Sequence, residues 1–327
     1  MHSKLVEVII INWNGKKFLK DCLDGLKRQT FQDFSIVLVD NGSIDGSVYY
    51  VQQNYPEVKI VDLERNTGFC TANNLAVRFV ASKYVALLNN DAVPHADWLN
   101  CLMKSMESNP DAGFAASKML YYENPKTIDR AGDSYTRAGA GLLRGRGKRI
   151  NNYNKHEWIF GASAGAAIYR ADMIKKIGLF DEDFFLLYED VDLSFRAQLQ
   201  GYKCIYVPDA VVYHKASASI GYDSAISVYY SHRNLEWVYI QNMPAGLILK
   251  TIFPHIIYDI AAFFFFAARG RNKDFIKAKW DALKGVKKAL KKRKQIQKNR
   301  TVEIDYIWRL LERELFFTRL TRRLKTT

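Results

Sequence analysis

The chain has 327 residues, of which 48% are hydrophobic, so it is long enough for a sizeable core and perhaps two domains. Its net charge of +14 is unevenly placed. Residues 269–327 hold 20 of the 48 Lys and Arg residues but only 6 of the 34 Asp and Glu residues, which leaves residues 1–268 neutral. A neutral body argues against a nucleic-acid-binding protein, and a basic tail indicates an appendage that touches an anionic surface.

The cysteines and the N-terminus favour a protein of a reducing compartment. Cys22, Cys70, Cys101 and Cys204 form no CxxC pair and suit neither a zinc site nor a disulfide framework. The first apolar run is short, is broken by Glu7 and lacks a cleavage-like site. We therefore interpret it as a buried strand and not as a signal peptide.

Strand and helix patterns alternate over the first ninety residues. The predicted strands are residues 6–12, 34–40, 58–63 and 84–91, and the predicted helices are residues 16–29, 45–55 and 71–83. This order indicates right-handed βαβ units and a mostly parallel sheet with helices on both faces. Residues 118–157 predict a mobile or irregular insertion with short strands, and residues 171–199 are mainly helical with an acidic loop.

Polar side chains follow each of these four strands. The first two strands end at Asn12 and Asp40. The third is followed by residues 64–66, and the fourth ends in the polar residues 89–91. Asn89, Asn90 and Asp91 alone would suggest a turn. Because ligands of open α/β sheets bind beyond the carboxyl ends of the strands, four polar ends in succession indicate a shared ligand crevice.

A second acidic group lies among apolar residues at 180–196. A carboxylate beside aromatic and aliphatic side chains gains proton affinity and becomes a usable base. Helix capping explains Asp192 and part of the group but not its size. His214 follows an apolar pair, and a single histidine is more often structural than a ligand.

Seven motifs, spread in order over residues 5–245, resemble family 2 glycosyltransferases, and most of all their rhamnosyltransferase-like branch. They are NWNG (12–15), VDNGSIDGS (39–47), RNTGFCTANN (65–74), LLNNDAVP (87–94), GASAGAAIYR (161–170), GLFDEDFFLLYEDVDLSFRAQLQGY (178–202) and VPDAVVYHKASAS (207–219). The resemblance implies an α/β GT-A fold and an inverting, metal-dependent transfer of a sugar, with rhamnose a candidate, from a dTDP- or UDP-linked donor. It implies a nucleotide-sugar-binding half (1–115), an acceptor-binding and catalytic half (116–244) and a C-terminal helical extension (245–327).

The resemblance also assigns residues. It implies Asp190 as the catalytic base beside Glu189, and a site for Mg²⁺ or Mn²⁺ at Asp91 and His214. Asn89 stands where the family's DXD motif has its first Asp, which removes one charge, and the QxxRW signature of processive synthases is absent. The implied donor-binding residues are Asn12, Asp40, Asn41, Arg65, Asn66, Gly68, Asn73, Asn89 and Asn90. The implied acceptor residues are Gly161, Ala162 and Asp181.

The C-terminal region is apolar and then basic. Residues 245–268 are long enough to span a bilayer, but Lys250 and Asp259 are costly within a span, and Pro254 predicts a break into two interfacial helices. Residues 274–294 and 304–325 predict basic amphipathic helices, whose apolar stripes include Ile276, Trp280, Leu283, Val286 and Leu290 in the first, and Ile304, Trp308, Leu311 and Leu315 in the second. Such helices are typical of membrane-surface binding, although the stripes could instead pack on the body.

We therefore expect a cytoplasmic protein that binds the inner face of the cell membrane peripherally and acts on a glycan or lipid-linked acceptor. Two alternatives remain. A sugar nucleotidyltransferase should have a Gly-rich basic loop after its first strand, which NWNGKKF matches poorly. A non-catalytic, membrane-associated scaffold that binds sugar nucleotides would not need the acidic group at 181–192.

Overall fold

A ten-stranded sheet forms the centre of the molecule in the computed structural model, which describes residues 4–215 and 224–313. Its order is β10-β12-β6-β11-β4-β1-β2-β3, with β5 added to β12 and β7 to β6, and β8 and β9 form a separate hairpin. The strands are β1 (Val6–Asn12), β2 (Phe34–Asp40), β3 (Lys59–Asp62), β4 (Tyr84–Leu88), β5 (Ala92–Pro94), β6 (Ala112–Tyr121), β7 (Ile128–Ala131), β8 (Asp133–Tyr135), β9 (Gly141–Leu143), β10 (Glu157–Ile159), β11 (Ala166–Arg170) and β12 (Lys203–His214).

Ten helices surround the sheet in the described part of the chain. They are α1 (Lys16–Lys27), α2 (Ser47–Asn54), α3 (Phe69–Val77), α4 (Trp98–Ser108), α5 (Ala171–Ile177), α6 (Glu189–Leu199), α7 (Ala225–Asn242), α8 (Ala245–Ala267), α9 (Asn272–Lys298) and α10 (Ile304–Leu310). Helices α1, α2 and α4 cover one face of the sheet, and α3, α5 and α6 cover the other. The predicted fold class is confirmed.

The strand directions bring the polar strand ends to one edge. Strands β1 to β4 run parallel. Strand β11 is antiparallel to both β4 and β6, and β12 is parallel to β6, so β6 and β12 share the direction of β1 to β4. The carboxyl ends of all six parallel strands therefore meet at the same edge.

Most of the predicted elements of the body are confirmed. Residues 6–12 and 34–40 are strands with the predicted bounds, because each is an apolar run covered on both faces. The fourth strand ends at Leu88 and not at Asp91, since Asn89–Asp91 leave the parallel ladder. Residues 118–157 contain the end of β6 and several short strands, as expected of an irregular insertion.

The helix break predicted at Pro254 is wrong. Pro254 lies inside α8, which runs unbroken over 23 residues. A proline removes one helical hydrogen bond, but packing of the buried face on the body holds the helix on both sides of it. That face includes Leu247, Thr251, Tyr258 and Ala262.

The helix predicted at 304–325 ends early. Its described part, α10, stops at Leu310, and Leu311 is buried in an extended conformation. Leu315 and the rest of the predicted helix lie outside the described residues, as do residues 216–219 of the seventh sequence motif.

The C-terminal helices pack on the body through small residues. On α9 the buried residues include Ala278, Ala282 and Ala289, and a Cβ on Gly285 would lie 2.5 Å from the Trp237 ring of α7. The predicted apolar stripe points the other way. Its exposed members are Ile276, Trp280, Leu283 and Leu290. In the described part of the chain only α8 is long and apolar enough to cross a membrane, which is weak evidence for a span.

Candidate active site

A network of short polar side chains joins the ends of β1, β2 and β4. Asp40 accepts hydrogen bonds from Asn12 Nδ2 at 2.9 Å and from the Ser43 backbone N–H at 2.7 Å. Asn90 Nδ2 donates to Asn12 Oδ1 at 2.8 Å. A Cβ on Gly15 would lie 2.1 Å from Asn90 Nδ2, so glycine is required for this approach. Asn12, Asp40 and Asn90, predicted from the sequence to share a crevice, are in contact.

A second network surrounds Asn41. Its Oδ1 accepts from the Thr67 backbone N–H at 2.9 Å, and its Nδ2 donates to Asn66 Oδ1 at 3.0 Å. Gly68 has a φ of +86°, and a Cβ there would lie 2.5 Å from the Phe185 ring. Asn41, Asn66 and Gly68 thus lie together, and Phe185 links them to the acidic loop before α6.

Three other predicted donor residues do not join these networks through their described side-chain contacts. Arg65 is exposed, with its backbone close to Gly42. Asn73 Nδ2 donates to the Phe69 carbonyl within α3, and Asn89 pairs through its backbone with Gly165. Their assignment to donor binding stays a prediction.

Asp91 and His214 lie together at the ends of β4 and β12. His214 Nε2 is 3.2 Å from Asp91 Oδ1, and His214 Nδ1 is 2.8 Å from Asp129 Oδ2. Arg146 lies 3.3 Å from the other Asp129 oxygen. Burial opposes the charged imidazole, but the hydrogen bonds to Asp129 and Asp91 outweigh it and raise the pKa of His214 to about 9.

This arrangement fits a divalent cation. Metal binding needs the neutral imidazole and would therefore displace the Nε2 proton. Nδ1 would then donate to Asp129 and Nε2 would be a ligand beside the Asp91 carboxylate, and such carboxylate–histidine pairs orient many metal ligands. One carboxylate and one imidazole leave positions for phosphate oxygens and water, as Mg²⁺ sites with substrate phosphates require. The predicted residues Asp91 and His214 can therefore hold the metal.

The first turn of α6 presents the predicted base. Asp190 Oδ2 lies 3.2 Å from Nη1 of Arg130, which also donates to Ser163 Oγ at 2.6 Å. The Asp133 carboxylate is 3.5 Å from the same nitrogen. Asp190 retains 12% side-chain exposure, so its carboxylate can reach a substrate while Arg130 fixes its orientation.

Two carboxyls beside Asp190 are more deeply buried. Burial, with the neighbouring Asp190 charge, raises the pKa of Glu189 to about 8. Burial raises the pKa of Asp133 to about 7 against the attraction of Arg130. Glu189 Oε2 has no hydrogen-bond partner within the described structure. Burial therefore favours the protonated form of Glu189, and Asp190 is the partly exposed carboxyl of the two.

The predicted acceptor residues have mainly structural contacts. Gly161 pairs with Asp133 through the backbone, and Ala162 is buried with its N–H 3.4 Å from Ser194 Oγ of α6. The Asp181 carboxylate is bound by Lys292 of α9. Their role in acceptor binding stays a prediction.

Sequence reasoning missed Asp129, Arg130, Asp133 and Asn234. The first three lie in the segment interpreted as an irregular insertion, where a charged pair between Ile128 and Ala131 was the only signal. Arg130 and Asp190 are 60 positions apart, so only the fold reveals the pair.

A second group of potential metal ligands lies outside this site. Glu236, His255 and Asp259 are close enough to hold an ion. The Lys279 ammonium pairs with both carboxylates, at 2.6 Å from Asp259, and so supplies the positive charge itself. We assign this group to the packing of α7, α8 and α9.

The fold and these strand ends define a nucleotide-sugar transferase of the GT-A type. Residues 7–178, a little over half of the chain, match the family model described as glycosyl transferase family 2, and the chain belongs to this family. It is a glycosyltransferase.

Relatives with this fold include proteins of known activity. The chain is 24% identical to the N-acetylglucosaminyl-diphospho-decaprenol L-rhamnosyltransferase of Mycobacterium tuberculosis, with 75% of this chain and 86% of that protein covered. Its fold resembles the mannosyltransferase PcManGT of Pyrobaculum calidifontis, solved with GDP-Man and Mn²⁺ (TM-score 0.56, 16% identity, 91% of this chain and 86% of that one). It also resembles S. aureus TarS (TM-score 0.51, 20% identity), covering 72% of this chain but only 40% of the TarS chain.

Proposed function

We propose that the protein moves one sugar per encounter, with inversion, from a nucleotide-diphosphate donor to a hydroxyl of a glycan or lipid-linked acceptor. The observation that carries this is the Arg130–Asp190 pair at the start of α6, in which Arg130 lies 3.2 Å from a carboxylate that retains 12% side-chain exposure. Direct displacement with inversion needs a single base of this kind.

The donor would bind at the ends of β1, β2 and β4. Asn12, Asp40 and Asn41 are buried and hydrogen-bonded within the chain, so they would shape the strand ends that receive the nucleoside, and Asn90 contacts Asn12 and directly precedes Asp91. Asp91 and His214 would hold Mg²⁺ or Mn²⁺, which would supply Lewis-acid stabilisation of the leaving diphosphate. The Mn²⁺ bound by PcManGT supports a divalent metal.

The catalytic step depends on the side chains around Asp190. Arg130 holds the carboxylate, and Asp190 takes the proton of the acceptor hydroxyl as its oxygen attacks the anomeric carbon and the bond to the diphosphate breaks.

We propose a lipid-linked acceptor at the inner face of the cell membrane. The rhamnosyltransferase relative is named for such an acceptor, a diphospho-decaprenol glycan, so dTDP-rhamnose is the first donor to test. Six large apolar side chains of α8 are exposed, and lysines flank the exposed stripe of α9, as expected of a membrane-binding surface. They are Leu249, Phe253, Ile256, Ile257, Ile260 and Phe264.

A screen of nucleotide sugars tests the proposal. Purified protein is incubated with dTDP-, UDP- and GDP-linked sugars and Mg²⁺ or Mn²⁺, and release of the nucleoside diphosphate is measured with and without a lipid-diphosphate glycan. We expect one donor to be consumed, faster with acceptor. Release of pyrophosphate from a nucleoside triphosphate and sugar phosphate would support a nucleotidyltransferase instead, and binding without turnover would support a scaffold.

A further inference from the structure

The segment before the catalytic pair has a strained backbone. We call residues 181–188 the catalytic loop, because it leads directly into Glu189 and Asp190. Phe185, Leu187 and Tyr188 have φ values of +64°, +64° and +72°. Each left-handed non-glycine residue costs about 1 kcal/mol or more, so contacts from outside must hold this loop.

Helix α7 supplies the first set of contacts. Asn234 is fully buried, and its Nδ2 lies 3.1, 2.9 and 2.7 Å from the carbonyl oxygens of Phe184, Leu186 and Leu187. Its neighbour Arg233 donates to the carbonyls of Asp183 and Phe184. These donors bind four loop carbonyls, and in the described part of the chain only that of Phe184 also accepts a backbone hydrogen bond within the loop, from the Leu186 N–H at 2.7 Å.

Helix α9 supplies the second set. Lys292 pairs with both Asp181 and Asp183, and Lys288 pairs with Asp183. Helix α9 is itself fixed to α7, since Arg293 donates to two carbonyls at the end of α7 and Trp237 Nε1 donates to the Ala282 carbonyl at 3.1 Å. Lys288 and Lys292 therefore bind the loop from a helix that is itself fixed to α7 by hydrogen bonds.

The loop also contacts the donor side. The Phe185 carbonyl accepts from the Phe69 N–H at 2.9 Å at the start of α3, and its ring lies against Gly68. A shift of the loop would therefore change both the position of Asp190 and the wall beside the donor networks.

We propose that α7 and α9 form a clamp that positions the catalytic loop, with Asn234 and Lys292 as positioning residues that act through Asp190. The inference rests on the proposed sugar transfer and deepens it. Helix α9 of the C-terminal region then supports the position of Asp190, in addition to any contact of this region with a membrane.

The test compares Asn234→Ala and the pair Lys288→Gln/Lys292→Gln with the unmodified protein, using a short soluble acceptor. Misplacing a reacting group by about 1 Å can cost up to about a hundredfold in rate, so we expect kcat to fall by about ten- to a hundredfold for Asn234→Ala. The lysine pair should lower kcat less, because Lys288 is mostly exposed. The donor dissociation constant should change much less than kcat in both variants, because the loop touches the donor networks only through Phe185, and general loss of folding would not produce this separation.

Two controls match these changes. Gln29→Ala also removes a buried amide that donates to two carbonyls, but just after α1 and away from the loop, and it should lower the melting temperature without lowering kcat. Lys287→Gln/Lys291→Gln removes the same charge from the exposed part of α9 and should leave turnover of the soluble acceptor unchanged.

The outcomes separate the two proposals. An active unmodified protein with undiminished kcat in the Asn234 and lysine variants would overturn the clamp alone. Equal losses of kcat in the variants and their controls would also overturn it. If Asn234→Ala does not fold, the kcat of the Lys288→Gln/Lys292→Gln variant decides whether the clamp exists. An unmodified protein that transfers no sugar from any donor would overturn the proposed function itself.

Discussion

Glu189 and Asp190 are neighbours in the chain with different surroundings. Glu189 faces the interior, where burial and the adjacent charge raise its pKa to about 8. Asp190 faces Arg130 and accepts from the Val191 backbone N–H at 2.8 Å. The sequence indicated a base here, but it could not reveal Arg130, which makes the two residues differ.

Replacing the base should abolish transfer without unfolding the protein. Asp190→Asn keeps the size of the side chain and its polar contact with Arg130, so the protein should fold and bind donor normally. Loss of a general base lowers kcat by about 10²–10⁴. Steady-state rates and donor titration check this, with exposed Asp172→Asn as the control. A kcat near that of the unmodified protein would remove Asp190 from the role.

Glu189 should make stability depend on pH. The pKa of Glu189 is raised on folding from 4.5 to about 8. Its contribution to the free energy of unfolding is therefore complete below pH 4.5 and is lost as the pH rises through about 8. Glu189→Gln cannot ionise and should gain at least about 1 kcal/mol relative to the unmodified protein between pH 5 and pH 8.5. Urea unfolding at both pH values measures this, with exposed Glu123→Gln as the control. A difference that does not grow with pH would contradict it.

Short strands carry the elements of the site. Asp129 and Arg130 are consecutive in β7, yet the first holds His214 and the second holds Asp190. Apolar runs predicted β1 and β2 well, because a strand that is covered on both faces needs only a continuous run of apolar residues. Strand β7 has four residues, of which two are charged, so no pattern identified it.

The ends of β4 and β12 predict a requirement for metal. Activity should disappear in excess EDTA and return with Mg²⁺ or Mn²⁺, and Asp91→Ala should remove it, because this carboxylate is one of only two protein ligands proposed there. Calorimetry gives a second measurement: donor binding should weaken without metal in the unmodified protein and should not respond to metal in Asp91→Ala. Full activity in EDTA would exclude the role of both Asp91 and His214.

In the C-terminal helices the periodicity of apolar residues is insufficient to predict which helix face packs on the body. The sequence leaves two alternatives for the stripe of Ile276, Trp280 and Leu283, membrane-surface binding or packing on the body, and in the structure these residues do not pack on the body but are exposed. The packed face instead consists of alanines and Gly285, which allow α9 to approach Trp237 closely. An apolar pattern identifies an amphipathic helix, but it does not identify the neighbour that each face meets.

At the scale of the whole molecule, the C-terminal helices have two surfaces. Lysines of α9 bind the catalytic loop, and apolar residues of α8 and α9 are exposed on another side. Deleting residues 270–327 would remove the contacts of α9 with the catalytic loop together with the exposed stripe of α9 and would leave α8 in place, so it cannot test membrane binding alone. Substitutions of exposed α8 residues can, because in the part of the chain that the structure describes the catalytic loop is held by α7 and α9.

We expect the intact protein to float with anionic vesicles at low salt and to prefer them to neutral ones. Each Lys or Arg near such a surface contributes about 1 kcal/mol, which salt screens, while burial of the α8 face adds a part that salt does not remove. Replacing Leu249, Phe253 and Ile257 by Gln, at 79%, 73% and 61% exposure, should abolish flotation in high salt and leave turnover of a soluble acceptor intact. The matched control replaces Ile44, Tyr49 and Phe79, which are equally exposed on the donor half, and it should still float. Failure of the intact protein to float at low salt would contradict the proposal, and a dimer in solution that the α8 substitutions dissociate would assign this face to a second copy of the chain.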